Sequence, residues 1–176
     1  MYRSVELSRR SLLAGPIAVA VCGVEQNVRA ASVHASESQQ PQPAKRPPIV
    51  PELVKDFVIA AHRDLDRTKS LLAEEPRLLN ATWDWGGGDF EMAIGGAGHM
   101  GRRDIARFLI DNGGRMDIFV AAMLGELEIV RSTLKAFPNM LNSRGPHGIT
   151  LLAHARAGGD QAGGVLSYLQ SLPQKS

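Results

Sequence analysis

The chain has 176 residues, 44% of them hydrophobic and 22% charged. That is ordinary globular composition, with length for one domain and some chain left over. The net charge is +2, but four arginines and two glutamates fall before Ser36, which leaves 16 residues of each sign in the remainder. A neutral body gives no electrostatic case for nucleic acid or an anionic membrane surface, and a single cysteine, Cys22, excludes an intrachain disulfide and a cysteine metal cage.

Residues 1–35 have the layout of an export signal. Ser8-Arg9-Arg10-Ser11-Leu12-Leu13 precedes an apolar run, Leu12–Val24, broken by Gly15, Pro16 and Gly23. A span needs about 20 apolar residues, so this run is too short to cross a bilayer comfortably. Short apolar runs behind arginines are signal peptides rather than anchors. The arginine segment resembles the twin-arginine signal of bacterial secretory precursors, with Leu12 where Phe is common and Ala14 where Lys is common. The resemblance implies a periplasmic or secreted protein with no stable membrane span after cleavage. Lipid attachment at Cys22 is the less favoured alternative, because Val21 stands where such signals want Gly, Ala or Ser. Residues 36–51 are a proline-rich linker, where missing backbone donors and few packing side chains favour extended chain.

The domain expected over 52–172 is written twice. Phe57–Ala81 (FVIAAHRDLDRTKSLLAEEPRLLNA) returns 62 positions later as Phe119–Ser143 (FVAAMLGELEIVRSTLKAFPNMLNS). Gly88–Leu109 returns more faintly 60 positions later as Gly148–Leu169. Internal repetition on this scale means stacked supersecondary units, here four, near 57–81, 88–113, 119–143 and 148–172. In the first, Pro51 suits an opening helical turn. Leu53, Val54, Phe57, Val58 and Ala61 form one apolar stripe at helical spacing. Asp64 begins a second helix with Leu65, Thr68, Leu71 and Leu72 facing inward, and Pro76 ends it. Thr150 is placed to cap a later helix start. The Arg102-Arg103-Arg107 cluster reads as a solvated helix face. Residues 173–176 are a tail.

These residues reach a known family. LLAEEPRLLN and TLKAFPNMLN resemble the end of an ankyrin repeat, and Gly148–Ala155 (GITLLAHA) resembles its G-x-T-P-L-H-x-A start. Gly125–Arg131 and Gly101–Arg107 resemble its second helix, and Asp111-Asn112-Gly113-Gly114 its loop. Leu151 and Glu91 replace the usual Pro, and Ala153 takes the usual His position. The step from Gly101 to Gly125 is 24 residues, against about 33 in the family, so the finger hairpin should be missing between Asn112 and Phe119. The resemblance implies an all-α, ankyrin-like helical repeat solenoid of about four helix pairs, with the signal and linker outside the fold. It implies a protein–protein interaction scaffold with another protein as partner.

The oddest local sequence is Trp83-Asp84-Trp85-Gly86-Gly87-Gly88-Asp89, which holds both tryptophans in a loop between units. Exposed Trp is unfavourable unless covered, and Trp is enriched at binding hot spots. The two units diverge most here and at Arg144–His147. Trp83, Asp84, Trp85, Asp89, Arg144 and His147 are therefore the expected binding residues, on one edge of the stack, unless the tryptophans fold back onto a neighbouring unit. No catalytic residue, metal ligand or cofactor is assigned: there is no G-x-S-x-G serine, Cys22 lies in the leader, and no two histidines are spaced as a ligand pair on one helix. The alternative from a different class is an envelope hydrolase or metal-binding enzyme. Its site would gather His99, His147 and His154 with Asp84 or Asp89.

Replacing both Arg9 and Arg10 by Lys is expected to hold the precursor in the cytoplasm, read by immunoblot of cell fractions. Normal amounts of the variant outside the cytoplasm would rule out the twin-arginine route.

Overall fold

A computed structural model of the chain describes residues 46–173. The leader, Cys22, most of the linker and the last three residues lie outside the described residues. Eight α-helices occur among the described residues: α1 (Pro51–Ala61), α2 (Leu65–Glu74), α3 (Ala93–His99), α4 (Arg103–Asp111), α5 (Ile118–Leu124), α6 (Leu127–Ala136), α7 (Leu151–Ala157) and α8 (Gly163–Ser171). A two-stranded antiparallel hairpin, β1 (Thr82–Asp84) and β2 (Phe90–Met92), precedes α3, with Trp83 opposite Glu91. The molecule is mostly helical, as expected. The hairpin falls where the sequence placed a loop.

Local chemistry accounts for the boundaries. Asp64 caps α2 by accepting from Arg67 N at 2.8 Å, Asp117 caps α5 from Val120 N at 2.9 Å, and Thr150 caps α7 from Ala153 N at 3.2 Å. Each satisfies one of the donors that a helix start leaves unpaired. Short 3-10 turns at Pro76–Asn80 and Pro138–Asn142 follow α2 and α6. α2, α6 and these two turns recur with an offset of 62, and α4 and α8 with an offset of 60. The first helix of the last pair departs from that register: α7 begins 58 residues after α3, because β2 occupies the corresponding residues before α3. Residues 114–117, between α4 and α5, form neither helix nor strand, so the hairpin is absent where the short step predicts its absence.

Helices of seven to eleven residues are marginal alone in water and must borrow stability from packing. Each odd-numbered helix packs on the even-numbered helix that follows it, and α1, α3, α5 and α7 pack on one another in order. All seven residues of α5 are buried. One of its faces (Val120, Met123, Leu124) joins a core with α1, α2, α3 and α4. Another (Ile118, Phe119, Ala121, Ala122) joins a second core with α6, α7 and α8. α5 ends at Gly125, in the left-handed conformation at φ 76°. A Cβ there would stand 2.2 Å from Gln161 O, so both backbone angle and space require glycine.

The arginine cluster corrects the solvated-face expectation. Arg103 donates to Met123 O at 2.7 Å and Leu124 O at 2.9 Å, closing the carbonyl end of α5. Arg102 donates to Arg63 O and pairs with Asp104. No helix among the described residues is long and apolar enough to cross a membrane.

Leu72 and Leu134, at equivalent places in α2 and α6, are both buried. Truncating either to Ala should cost about 2–5 kcal/mol, measured by chemical denaturation. A loss under about 0.5 kcal/mol at both would be surface behaviour and would refute the shared register.

Candidate functional site

The site is built around one carboxylate. Glu91 lies on β2 just before α3, and its side chain is fully buried. Burying an ionised carboxylate is unfavourable unless it is paired and hydrogen-bonded. Four side chains from separate elements surround it, two of them at hydrogen-bond distance. Trp85 Nε1 donates to Glu91 Oε2 at 2.8 Å. His99 Nε2, at the end of α3, lies 2.9 Å from Oε1. His147 Nε2, from the loop before α7, is 3.3 Å from Oε2, and His62 Nε2, just past α1, is 3.6 Å from it.

Two of the histidines are oriented from behind. His62 Nδ1 lies 2.8 Å from Val58 O, a pure acceptor, so Nδ1 carries the hydrogen. His147 Nδ1 donates to Asp89 Oδ2 at 2.7 Å, and His147 N donates to Asp89 Oδ1 at 2.9 Å. That double clamp holds His147 in the left-handed region, φ 57°, the sole non-glycine there among the described residues. Close approach is also built in. A Cβ on Gly96 would stand 2.7 Å from the His62 ring, and one on Gly95 would stand 3.4 Å from Pro146. The glycines of α3 let the end of α1 and the 143–150 loop close onto it.

The charges follow this geometry. Desolvation alone would push the Glu91 carboxyl up. The bonds from His99 and Trp85 and the nearby imidazoles outweigh it and hold the carboxyl below its ordinary value. Asp89 is held below the usual aspartate range chiefly by the His147 backbone N–H. His154 is buried on α7, with Nδ1 donating to Thr150 O at 2.9 Å and Nε2 without a partner among the described residues. Desolvation pushes His154 below its ordinary value and favours the neutral ring.

The expected binding residues divide. Trp85, Asp89 and His147 come together, so the 83–89 and 144–147 stretches do share an edge. Trp83 folds back against the first core, with Lys55 Nζ 5.5 Å from its ring. Trp85 is only 37% exposed, and its N–H is committed to Glu91. Phe90, which the sequence reading did not single out, is 58% exposed and is the most open aromatic of the hairpin. Arg144 is exposed and donates to Gly148 O at 3.1 Å. Of the enzyme alternative's residues, His99, His147 and Asp89 meet, while Asp84 turns into its own loop, accepting from Gly86 N at 2.8 Å. His154 approaches only ring to ring, its centroid 6.4 Å from that of His99.

Sequence reasoning missed His62 and Glu91 as partners, yet the repeat carries a signal for both. His62 aligns with Leu124 at the 62-residue offset, and Glu91 with Leu151 at the 60-residue offset. Both leucines are buried. One unit thus holds His and Glu where the other holds two core leucines.

Comparison of the chain with protein-family profiles, with curated proteins and with solved structures returned no match. The assignment of function therefore rests on the geometry.

Replacing Glu91 by Gln should cost about 1.5–3 kcal/mol at pH 7, the range for hydrogen bonds to a charged group. A carboxyl whose folded pKa is lowered stabilises fully above its unfolded value, 4.5, and loses that contribution as pH falls through the folded value. The gap in melting temperature between the wild type and Glu91→Gln should therefore narrow below pH 4.5. A gap constant from pH 7 to pH 3 would contradict the charged-carboxylate assignment.

Proposed function

We propose that this chain is an exported, ankyrin-like helical repeat solenoid that binds another protein along the edge formed by the β1–β2 hairpin and the 143–150 loop. The observation that carries the reading is the pairing of those two loops, joined by the two bonds between Asp89 and His147. Repeat scaffolds present such loops while their helices are committed to packing. Further support comes from the recurrence of helix bounds at offsets of 62 and 60 and from the ordered packing of the odd-numbered helices. Support for export comes from Arg9-Arg10 and the short apolar run behind them.

A groove of about 380 Å³ runs between the two loops, lined in part by Phe90, Met92, Phe119 and Arg144. It offers a partner one open aromatic and one exposed guanidinium, the residue types that anchor interfaces. Neither Trp83 nor Trp85 lines this groove, so the anchor role expected of them passes to Phe90.

The test is capture from the native envelope with the full chain as bait, followed by affinity measurement on the protein recovered. Phe90→Ala should weaken binding by about thirty-fold or more, the effect of losing a hot spot of 2 kcal/mol. Phe137→Ala removes an aromatic that is 63% exposed but does not line the groove, and it should leave affinity unchanged. Equal loss from both, or from neither, would place the interface elsewhere.

A further inference from the structure

Three of the chain's five histidines converge on one buried carboxylate, and the arrangement calls for a cation. His62 and His147 each carry a hydrogen on Nδ1, fixed by Val58 O and Asp89. In the neutral rings, Nε2 is then a bare lone pair. Both lone pairs face Glu91 Oε2, at 3.6 and 3.3 Å. Acceptor against acceptor is repulsive, so something positive has to lie between them, either protons on the rings or a metal ion.

We propose that His62 Nε2, His99 Nε2, His147 Nε2 and a Glu91 carboxylate oxygen form a binding site for one divalent transition-metal ion, with zinc the best match. Imidazole and carboxylate are borderline-to-hard donors that suit zinc in a four-coordinate site. The four donor atoms all lie within 4.8 Å of one another. A tetrahedron with bonds of about 2.0–2.1 Å places its ligands about 3.3 Å apart. From Glu91 Oε2, His147 Nε2 at 3.3 Å and His62 Nε2 at 3.6 Å lie close to that value, while His99 Nε2 lies 2.9 Å from the other oxygen, Oε1. Small side-chain rotations would complete the set.

Two further observations favour a metal over protons. The first is packing: the His62 and His147 ring centroids lie 4.9 and 5.3 Å from that of His99, so protons on two of the three rings would set like charges side by side, whereas one divalent ion leaves all three imidazoles neutral. The second is the supporting layer. A metal-binding histidine donates its other ring N–H to a carbonyl or carboxylate, which fixes its tautomer. Val58 O does this for His62 and Asp89 does it for His147, while Trp85 orients the carboxylate. With four protein ligands the site is closed, which is the structural rather than the catalytic pattern. It clips the end of α1, the hairpin, α3 and the 143–150 loop together. The site does not depend on the scaffold reading, since metal uptake is measured on the chain alone.

The experiment uses the full chain without a histidine tag, stripped with chelator and titrated with zinc by calorimetry and elemental analysis. One zinc per chain is expected, with a rise in melting temperature of about 10 °C at about a hundred-fold excess over Kd. Cobalt should give the intense visible bands of a tetrahedral ion, a readout on the wild type that no folding defect can obscure. His99→Ala combined with His147→Ala should abolish uptake. Asp89→Asn, which keeps all four ligands, should weaken it about 10–100-fold. A wild-type chain that takes up no zinc, or weak octahedral cobalt bands, would overturn the proposal. So would ring-nitrogen NMR showing doubly protonated histidines that zinc leaves unchanged, or unaltered stoichiometry in the folded double variant.

Discussion

A buried carboxylate is the constraint around which this edge of the molecule is arranged. An isolated ionised group in an apolar interior would neutralise or force the structure open. Around Glu91, Trp85 and His99 lie at hydrogen-bond distance, and His62 and His147 close over it from two further places in the chain. Each contact imposes a local condition. His62 can approach only because Gly96 has no Cβ, and His147 can turn inward only in a left-handed backbone held by Asp89. Glycine inside a helix costs up to about 1 kcal/mol relative to Ala. A seven-residue helix with three glycines, Gly95, Gly96 and Gly98, is therefore weak by itself and is tolerated because neighbours fill the space.

The helices were legible in the sequence because their determinants are local. An apolar residue every three or four positions, a cap such as Asp64 or Thr150, and a stop such as Pro76 each act within one turn, and the repeat supplied a second copy of each. The hairpin was less legible. Glu91 aligns with Leu151, yet one residue sits on a strand and the other opens a helix. Same-position alignment does not fix backbone conformation when the loops ahead differ in length. The basic cluster was misread for a similar reason: Arg103 finds the carbonyls of α5, twenty residues away, and nothing in its own helix foretells that.

The cluster itself was not legible from spacing. Residues 62, 91, 99 and 147 lie on different elements, so no motif of fixed intervals joins them. What the sequence did hold was an exchange of kind. In a repeat, core positions are committed to packing and keep their apolar character. His62 for Leu124 and Glu91 for Leu151 break that rule twice, and the two exceptions meet in space. A pair of polar substitutions at core positions is a sharper indicator than the tryptophan-rich loop, whose rings turn out to support the hairpin.

Rigidity links the cluster to the groove beside it. Phe90 and Arg144 lie on the two loops that the Asp89–His147 clamp draws together, and both line the same groove. A loop that must be ordered on binding spends part of the interaction free energy on its own conformational entropy. Here the hairpin is closed by its own bonds, Trp85 N to Asp89 O at 2.9 Å and Gly86 N to Asp84 at 2.8 Å. The opposing loop is held by the Gly145 N to Ile149 O bond at 2.9 Å. The two bonds between Asp89 and His147 then lock one loop against the other. Polar groups at the base of the edge thus fix its shape, while the side chains at its rim are left free to differ. On the proposed binding role, that division would give chemical specificity to Phe90 and Arg144 and geometric specificity to Glu91 and its histidines.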